Sequence, residues 1–299
     1  MIKIANAPCS WGVLEFDLEG EAAGYEHVLD EIRETGYSGT ELGDWGFMPT
    51  NPFLLKKEIS TRDLELLGAF VPVALSDPSS HKKGAEVAVK TAKLIMNAGY
   101  SDAFIVLSDD NGKDPVRTLN AGRVKPEMGL NKTQWDIFSS GANEIALKVR
   151  HDTGLRTVFH HHCAGFVETY EEIKTLMNLT DPDVLGLCLD TGHLKFGGGD
   201  PLKALLEFRN RIWHVHYKDC HPGIAEKSAE SGWDYFTSVQ NGVFCELGKG
   251  DIDFGTITDE LKISEYDGWI VVEQDVLPGM GSPKECALYN REFLRSLGL

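Results

Sequence analysis

At 299 residues with 42% hydrophobic side chains, the chain is long enough for one large buried core and fits a single domain over 1–299 better than two small ones. Its 46 acidic against 29 basic residues leave a formal charge of −17, which repels phosphate backbones and argues against nucleic acid as a partner. No run approaches the ~18 apolar residues of a membrane span, no apolar segment follows a basic start, and the six cysteines include no C-x-x-C pair, so the expectation is a soluble, cytoplasmic protein with reduced thiols, no membrane partner and no disulfide framework.

Strand-like and helix-like segments alternate from end to end, the mark of a parallel α/β fold. Ile2–Ala7 precedes an amphipathic stretch over Ala22–Thr35; Gly39–Leu42 precedes a helical region around Thr61–Leu67; Ala69–Leu75 precedes Lys82–Ala98; and Ala103–Leu107 precedes Thr133–Thr153. The second half repeats the pattern with Arg156–His160 and Thr169–Leu179, Val184–Leu189 and Pro201–Phe208, Ile212–His216 and Ile252–Leu261, then Trp269–Val272 and Pro283–Leu297. Eight such units close a (β/α)8 TIM barrel, whose active site lies at the carboxyl ends of the strands. An open doubly wound sheet is the runner-up, but no G-x-G-x-x-G follows the first strand. Thr169-x-x-Glu172 reads as a capping box, Asp200-Pro201 as a helix start, and Gly36 and Gly99 as helix stops. Two long connections, Ser108–Lys132 and Lys218–Asp251, fall on the active-site face and are lid candidates, with Arg123 and Trp233 the side chains most able to reach a substrate.

Four strands in the second half end in side chains that can ligate a metal. They are Thr157-Val-Phe-His-His-His162, Val184-Leu-Gly-Leu-Cys-Leu-Asp190 running on to His193, Ile212-Trp-His-Val-His216 and Trp269-Ile-Val-Val-Glu273. Side chains alternate along a strand, so His160 and His162 share one face and His214 and His216 share another. An acidic residue directly after four apolar ones is costly to bury unless paired or coordinated, which favours Glu273 as a ligand with Asp275 as the fallback. Asp190 supplies a second carboxylate and His216, nearer the mouth than His214, an imidazole; on the fifth strand His160, His161, His162 and the downstream Glu168 all compete. Lys218 and Asp219 can meet substrate oxygens. Mixed carboxylate and imidazole donors suit Mn²⁺, Fe²⁺, Co²⁺ or Zn²⁺.

Taken together, His160-His-His-Cys-Ala-Gly-Phe-Val-Glu168, Leu189-Asp-Thr-Gly-His193, His214-Val-His-Tyr-Lys-Asp219, Leu247-Gly-Lys-Gly-Asp-Ile-Asp-Phe254 and Val272-Glu273 resemble the xylose isomerase-like TIM-barrel superfamily, and within it the inosose dehydratase branch. Weaker matches are Ser10-Trp11-Gly12 and Gly39-Thr-Glu41-Leu42. The resemblance implies a metal held by Asp190, His216 and Glu273 and, where related epimerases place a strand-five glutamate, by Glu168, with His160 as the alternative. It further implies loss of water from an inositol-derived ketone through a metal-stabilised enediolate, with Mn²⁺ or Co²⁺ the expected ion and Mg²⁺ also compatible. His193, His162 and His160 would handle protons. Lys218, Trp11, Glu41, Arg123, His214 and Asp219 would face a small polyol or keto-sugar. A ketose isomerase or epimerase uses the same enediolate and is the alternative; an abasic-site endonuclease-like phosphodiesterase fits the charge poorly. A homo-oligomer is compatible with all of these.

Overall fold

The computed structural model describes residues 2–12, 23–277 and 279–299; position 22 of the predicted 22–35 stretch thus lies outside the described residues. Eight strands form the barrel: β1 (Lys3–Asn6), β2 (Gly39–Thr40), β3 (Gly68–Val73), β4 (Phe104–Asp109), β5 (Arg156–His160), β6 (Leu185–Asp190), β7 (Ile212–Tyr217) and β8 (Trp269–Val272). Strands β3 to β8 are parallel neighbours in chain order, and β8 pairs with β1, Lys3 standing opposite Trp269. The ring closes through β2, where Ser38 N–H donates to Ile4 O (3.1 Å) on one side and Leu67 N–H to Thr40 O (3.0 Å) and Leu42 N–H to Gly68 O (2.9 Å) on the other.

Around the ring lie α1 (Tyr25–Glu34), α2 (Pro52–Ser60), α3 (Pro78–Asn97), α4 (Lys132–Thr153), α5 (Tyr170–Leu179), α6 (Pro201–Phe208), α7 (Phe254–Ile263) and α8 (Pro283–Ser296). The predicted punctuation is present: Thr169 and Glu172 form the capping box of α5, and the Asp200 side chain accepts from Leu202 N–H and Lys203 N–H at the head of α6. The helix expected around Thr61–Leu67 is displaced. The helix is α2, opened by Asn51, whose side chain accepts from Phe53 N–H and Leu54 N–H ahead of Pro52. The chain then turns at Asp63, in the left-handed region (φ 51°), and Glu65–Leu66 pairs with β2. No helix among the described residues is long and apolar enough to cross a membrane.

One irregularity decides what the barrel points inward. The β6–β7 register shifts between Leu187 and Cys188, which pair with Ile212 and His214, so that Trp213 is passed over. A side chain on Gly186 would meet the Trp213 indole at 2.3 Å, so only glycine leaves room for that ring. Beyond the bulge Cys188 stands opposite His214 and Asp190 opposite His216, which puts Asp190 and His216 level at the mouth.

Both long connections fold over that mouth. The first contains the helix Pro115–Leu119, and the second the helices Pro222–Ser231 and Tyr235–Gln240 with a small ladder of Asp219–Cys220 and Phe244–Cys245. The first is anchored by Arg117, which has no exposed surface and makes a two-pronged pair with Glu172 (Nη1–Oε1 2.8 Å, Nη2–Oε2 2.9 Å) while Nε donates to Gly165 O (2.7 Å). Glu172 is at the same time the cap of α5, accepting from Thr169 N–H (2.9 Å). Arg117→Ala leaves this carboxylate inside the protein without its partner, so it should cost about 3–5 kcal/mol of unfolding free energy in a denaturant titration; a loss below ~1 kcal/mol would show that the pair behaves as a surface contact.

Candidate metal centre and active site

At the carboxyl end of the ring, His160 closes β5, Asp190 closes β6, His216 lies near the end of β7 and Glu273 follows β8 directly. Their donor atoms all lie within 4.8 Å of one another, in a group that could hold a metal ion. His160 Nε2 is 3.5 Å from Asp190 Oδ2, which is 3.9 Å from His216 Nδ1, itself 3.2 Å from Glu273 Oε1. Donors about 2.1 Å from a tetrahedral ion stand ~3.4 Å apart, so the spacing suits one cation. The hydrogen bonding agrees, because both ring nitrogens of His160, Asp190 Oδ2 and His216 Nδ1 are buried without any hydrogen-bond partner. Buried polar atoms are rarely left unpaired. Three of them, one each from His160, Asp190 and His216, belong to the close-set group and fit a cation.

Asp190 does more than face this point. Its Oδ1 accepts from His193 N–H (2.7 Å), capping the short helix Thr191–Phe196, and its own N–H donates to His161 Nε2 (3.1 Å). His161, the outward member of the triplet, is thereby a structural side chain. Gly192 is required in the turn, since a side chain there would meet Lys218 Cγ at 2.5 Å and Lys218 O at 2.9 Å.

Beside the cluster stand His162, His193 and Lys218. The two rings are stacked at a tilt with centroids 3.8 Å apart. His162 Nδ1 lies 2.5 Å from Cys163 O, so that nitrogen carries the proton and Nε2 is left with a lone pair, 3.4 Å from the Tyr235 hydroxyl. Burial, with His160 and Lys218 nearby, pushes His162 down to about 3; burial and His162 lower His193 as well, so both are neutral imidazoles. Lys218 Nζ lies 3.2 Å from Asp275, 3.4 Å from Glu273 and 3.5 Å from His193 Nε2. Burial alone would lower its pKa, but Asp275 and Glu273 more than offset that, and the ammonium keeps its charge.

These groups share one cavity, lined also by Pro8, Cys9, Glu41, Gly43, Asp44, Phe70 and Tyr235. Tyr235 is a residue that sequence reasoning missed. It sits in the second long loop just after Asp234, whose side chain caps the helix by accepting from Thr237 N–H (2.7 Å); an N-cap followed by an aromatic was the only local signal.

Several expected contacts are not made. Glu168, expected as the fourth metal-holding residue, stands outside the cluster: its Oε1 accepts from Gly122 N–H (2.7 Å) and its Oε2 from Ala164 N–H (2.9 Å), and the fourth member of the close-set group is His160, the alternative. Asp219 faces away from substrate space because its carboxylate accepts from Gly248, Gly250 and Cys220 N–H groups at 2.8–2.9 Å. Trp11 donates its indole N–H to Glu31 (2.7 Å), and Arg123 donates to Leu119 O; neither lines the cavity, and nor does Trp233, which stacks under Lys227. His214 is buried below His216, and both donate to Glu41 Oε1, at 2.7 and 3.0 Å.

Fold and site define a (β/α)8 barrel with an imidazole–carboxylate cluster at its carboxyl mouth. The chain belongs to the xylose isomerase-like TIM barrel family, whose model matches residues 29–297. It is 30% identical over 294 residues to an inosose dehydratase of Bacillus cereus (strain AH820), covering 98% of this chain and 96% of that one. A Lacticaseibacillus casei protein of the same name is 30% identical over 293 residues, 98% of this chain and 96% of its own. Among solved structures, a probable 3-DHS dehydratase from Bacillus anthracis superposes with a TM-score of 0.71 at 16% identity over 99% of each chain. A D-allulose 3-epimerase from Methylomonas sp. superposes with a TM-score of 0.70 at 18% identity, covering 99% and 98%. The chain is an enzyme of this lyase and isomerase family.

The reassignment of Glu168 has a measurable consequence. Burial raises its carboxyl to about 7 against the lowering effect of the Gly122 and Ala164 N–H groups and Arg117, whereas the free group titrates near 4.5. A carboxyl whose folded pKa is raised gives stability that is full below the unfolded value and is lost as pH climbs through about 7. Glutamine cannot titrate. Relative to the natural chain, Glu168→Gln should therefore gain roughly 2–3 kcal/mol between pH 5 and pH 8 in chelator-treated protein, and a flat difference across that range would refute the assignment.

Proposed function

We propose that this protein is a divalent-metal-dependent carbon–oxygen lyase that removes water from an inositol-derived ketone, an inosose, with Mn²⁺ or Co²⁺ as its ion. The observation that carries this reading is the His160, Asp190, His216 and Glu273 cluster with its unpaired buried atoms, set beside two neutral imidazoles and a buried ammonium. The relatives named inosose dehydratase support it. When bound, the ion supplies a Lewis acid that polarises a carbonyl.

The chain's own residues then have distinct tasks. His162 Nε2 carries a lone pair inside the cavity and takes the proton from the carbon next to the ketone. The electron pair of that C–H bond forms the carbon–carbon double bond as the neighbouring C–O bond breaks. The departing hydroxyl leaves as water with a proton from the histidine pair, in which His193 is in ring contact with His162. Lys218, held by Asp275 and Glu273, orients a substrate oxygen. Its lone positive charge among the described lining residues is set against Asp44, Glu273 and Asp275, which suits an uncharged polyol better than a phosphate or a carboxylate. Likeness to the D-allulose 3-epimerase favours a second reading, a ketose isomerase or epimerase, in which the proton returns to carbon and no water leaves.

Protein stripped of metal and reloaded with Mn²⁺ or Co²⁺ should convert an inosose to a product with a new conjugated ultraviolet absorbance, and chelation should abolish it. Solvent deuterium uptake with ketose interconversion and no chromophore would move the enzyme to the second reading. In the same preparations Asp190→Ala, Glu273→Ala and His160→Asn should each weaken cation binding beyond the ~10–100-fold typical of outer-shell partners, while Glu168→Gln should bind as the natural chain does. Loss of metal in Glu168→Gln with retention in His160→Asn would return the fourth position to Glu168.

A further inference from the structure

Glu41 has no role in the chemistry above, yet it is buried, lines the floor of the cavity and receives two imidazole N–H groups on a single oxygen. Glu41, His214 and His216 bring three donor atoms as close together as a metal site does. The two groups differ in satisfaction. Glu41 Oε1, His214 Nε2 and His216 Nε2 are all hydrogen-bonded at ordinary lengths, whereas His160 Nε2, Asp190 Oδ2 and His216 Nδ1 of the upper cluster are unpaired. The lower group is thus held by protons and the upper one is left for a cation.

Resting on the metal-centre reading, we propose that Glu41 is a positioning residue: by holding the Nε2 proton of His216 it fixes the tautomer that presents Nδ1, and not Nε2, to the metal. A ring nitrogen that donates to a carboxylate leaves the opposite nitrogen with its lone pair, and the carboxylate raises the basicity of that lone pair. The geometry of His216 follows this rule, with Nε2 3.0 Å from Glu41 and Nδ1 3.2 Å from Glu273 on the cluster side. His214 is the second support. It stands two residues earlier on the same inward face, donates to the same oxygen at 2.7 Å, and pins the carboxylate from below. Because Glu41 comes from the β2 side of the ring and the histidines from β7, the contact spans the barrel interior and orients His216 independently of the loops.

The test separates this role from direct contact with substrate. Glu41→Gln keeps an oxygen for both N–H groups but removes the charge, and Glu41→Ala removes both. In protein loaded with Zn²⁺ and labelled with ¹⁵N-histidine, the natural chain should show His216 protonated on Nε2 with Nδ1 unprotonated; Glu41→Ala should show a mixture of the two attachments. Co²⁺ affinity, measured by chelator competition, should fall about 10–100-fold in Glu41→Gln and further in Glu41→Ala, with KM for the substrate close to that of the natural chain at saturating Co²⁺. Unchanged Co²⁺ affinity with a raised KM would overturn the proposal and make Glu41 a substrate contact. A proton on Nδ1 and metal attachment through Nε2 of His216 in the Zn²⁺-loaded natural chain would overturn it without any variant, which covers the case of a substitution that fails to fold. A natural chain that binds no Co²⁺ would overturn the metal centre itself, and this role with it.

Discussion

The burial of Asp190 is the constraint on which the site depends. Its carboxylate has no exposed surface, and its two oxygens are used differently: Oδ1 holds the turn that carries His193, and Oδ2 faces His160 and His216 without a hydrogen bond. A buried carboxylate oxygen without a donor costs several kcal/mol, so the barrel mouth is stable only if positive charge stands opposite. Against burial, which would raise it, His160 and Lys218 hold the Asp190 carboxyl below its ordinary value, and a cation held by the cluster would act in the same sense. Lys218 already divides its charge between Asp275 and Glu273. The ammonium is thus shared among three carboxylates, and Asp190 Oδ2 still faces His160 Nε2 and His216 Nδ1 at 3.5 and 3.9 Å, donors that a cation would join.

The strands and the inner side chains were legible because their rules are local. Period-two alternation places His160, Asp190 and His216 on inward faces once the strands are recognised, and short apolar runs ending in a polar residue mark strand tips in a parallel barrel. β5 and β8 fall on the residues predicted for them, and the capping boxes and proline starts needed only neighbouring residues. What failed was long-range. Whether Glu168 reaches the cluster depends on where Gly122 lies, 46 positions earlier, and its two oxygens are taken by backbone groups of loops that no local pattern positions. Asp219 was lost for the same reason. A side chain on Gly250 would sit 2.1 Å from its carboxylate, so the glycines of the Leu247–Phe254 segment serve to wrap this acid, and a sequence motif there reads equally as substrate contact or as loop packing.

The two loops over the mouth show why Arg123 and Trp233 misled and Tyr235 was passed over. In an irregular segment exposure is decided by which residue the loop buries, and here Arg117 and Glu168 hold the first loop down by one ion pair and one carboxylate that accepts a backbone N–H. The second loop packs Phe236 against Gly112 of the first, where a side chain would lie 2.8 Å from the ring, and so turns the neighbouring Tyr235 toward His162. The roof is therefore one unit built from both loops. Its inner surface, Tyr235 with Phe244 packed against His193, is aromatic, and it covers the histidine pair more than the cation cluster.

That asymmetry bears on which reaction this barrel runs. Dehydration and epimerisation begin alike, with a proton leaving the carbon beside a ketone, and diverge in whether a second proton goes to an oxygen or back to carbon. An epimerase needs proton carriers on both faces of the reacting carbon. Here the neutral imidazoles, His162 and His193, stand together at a ring separation of 3.8 Å, next to the ammonium of Lys218, and the carboxylates of the described cavity lining are Asp44, Glu41, Glu273 and Asp275. Burial raises the Asp44 carboxyl, which makes it a group able to compete as a second proton carrier. Two proton carriers in ring contact suit removal of a hydrogen and delivery of a proton to the neighbouring hydroxyl, which is the course of the dehydratase reading.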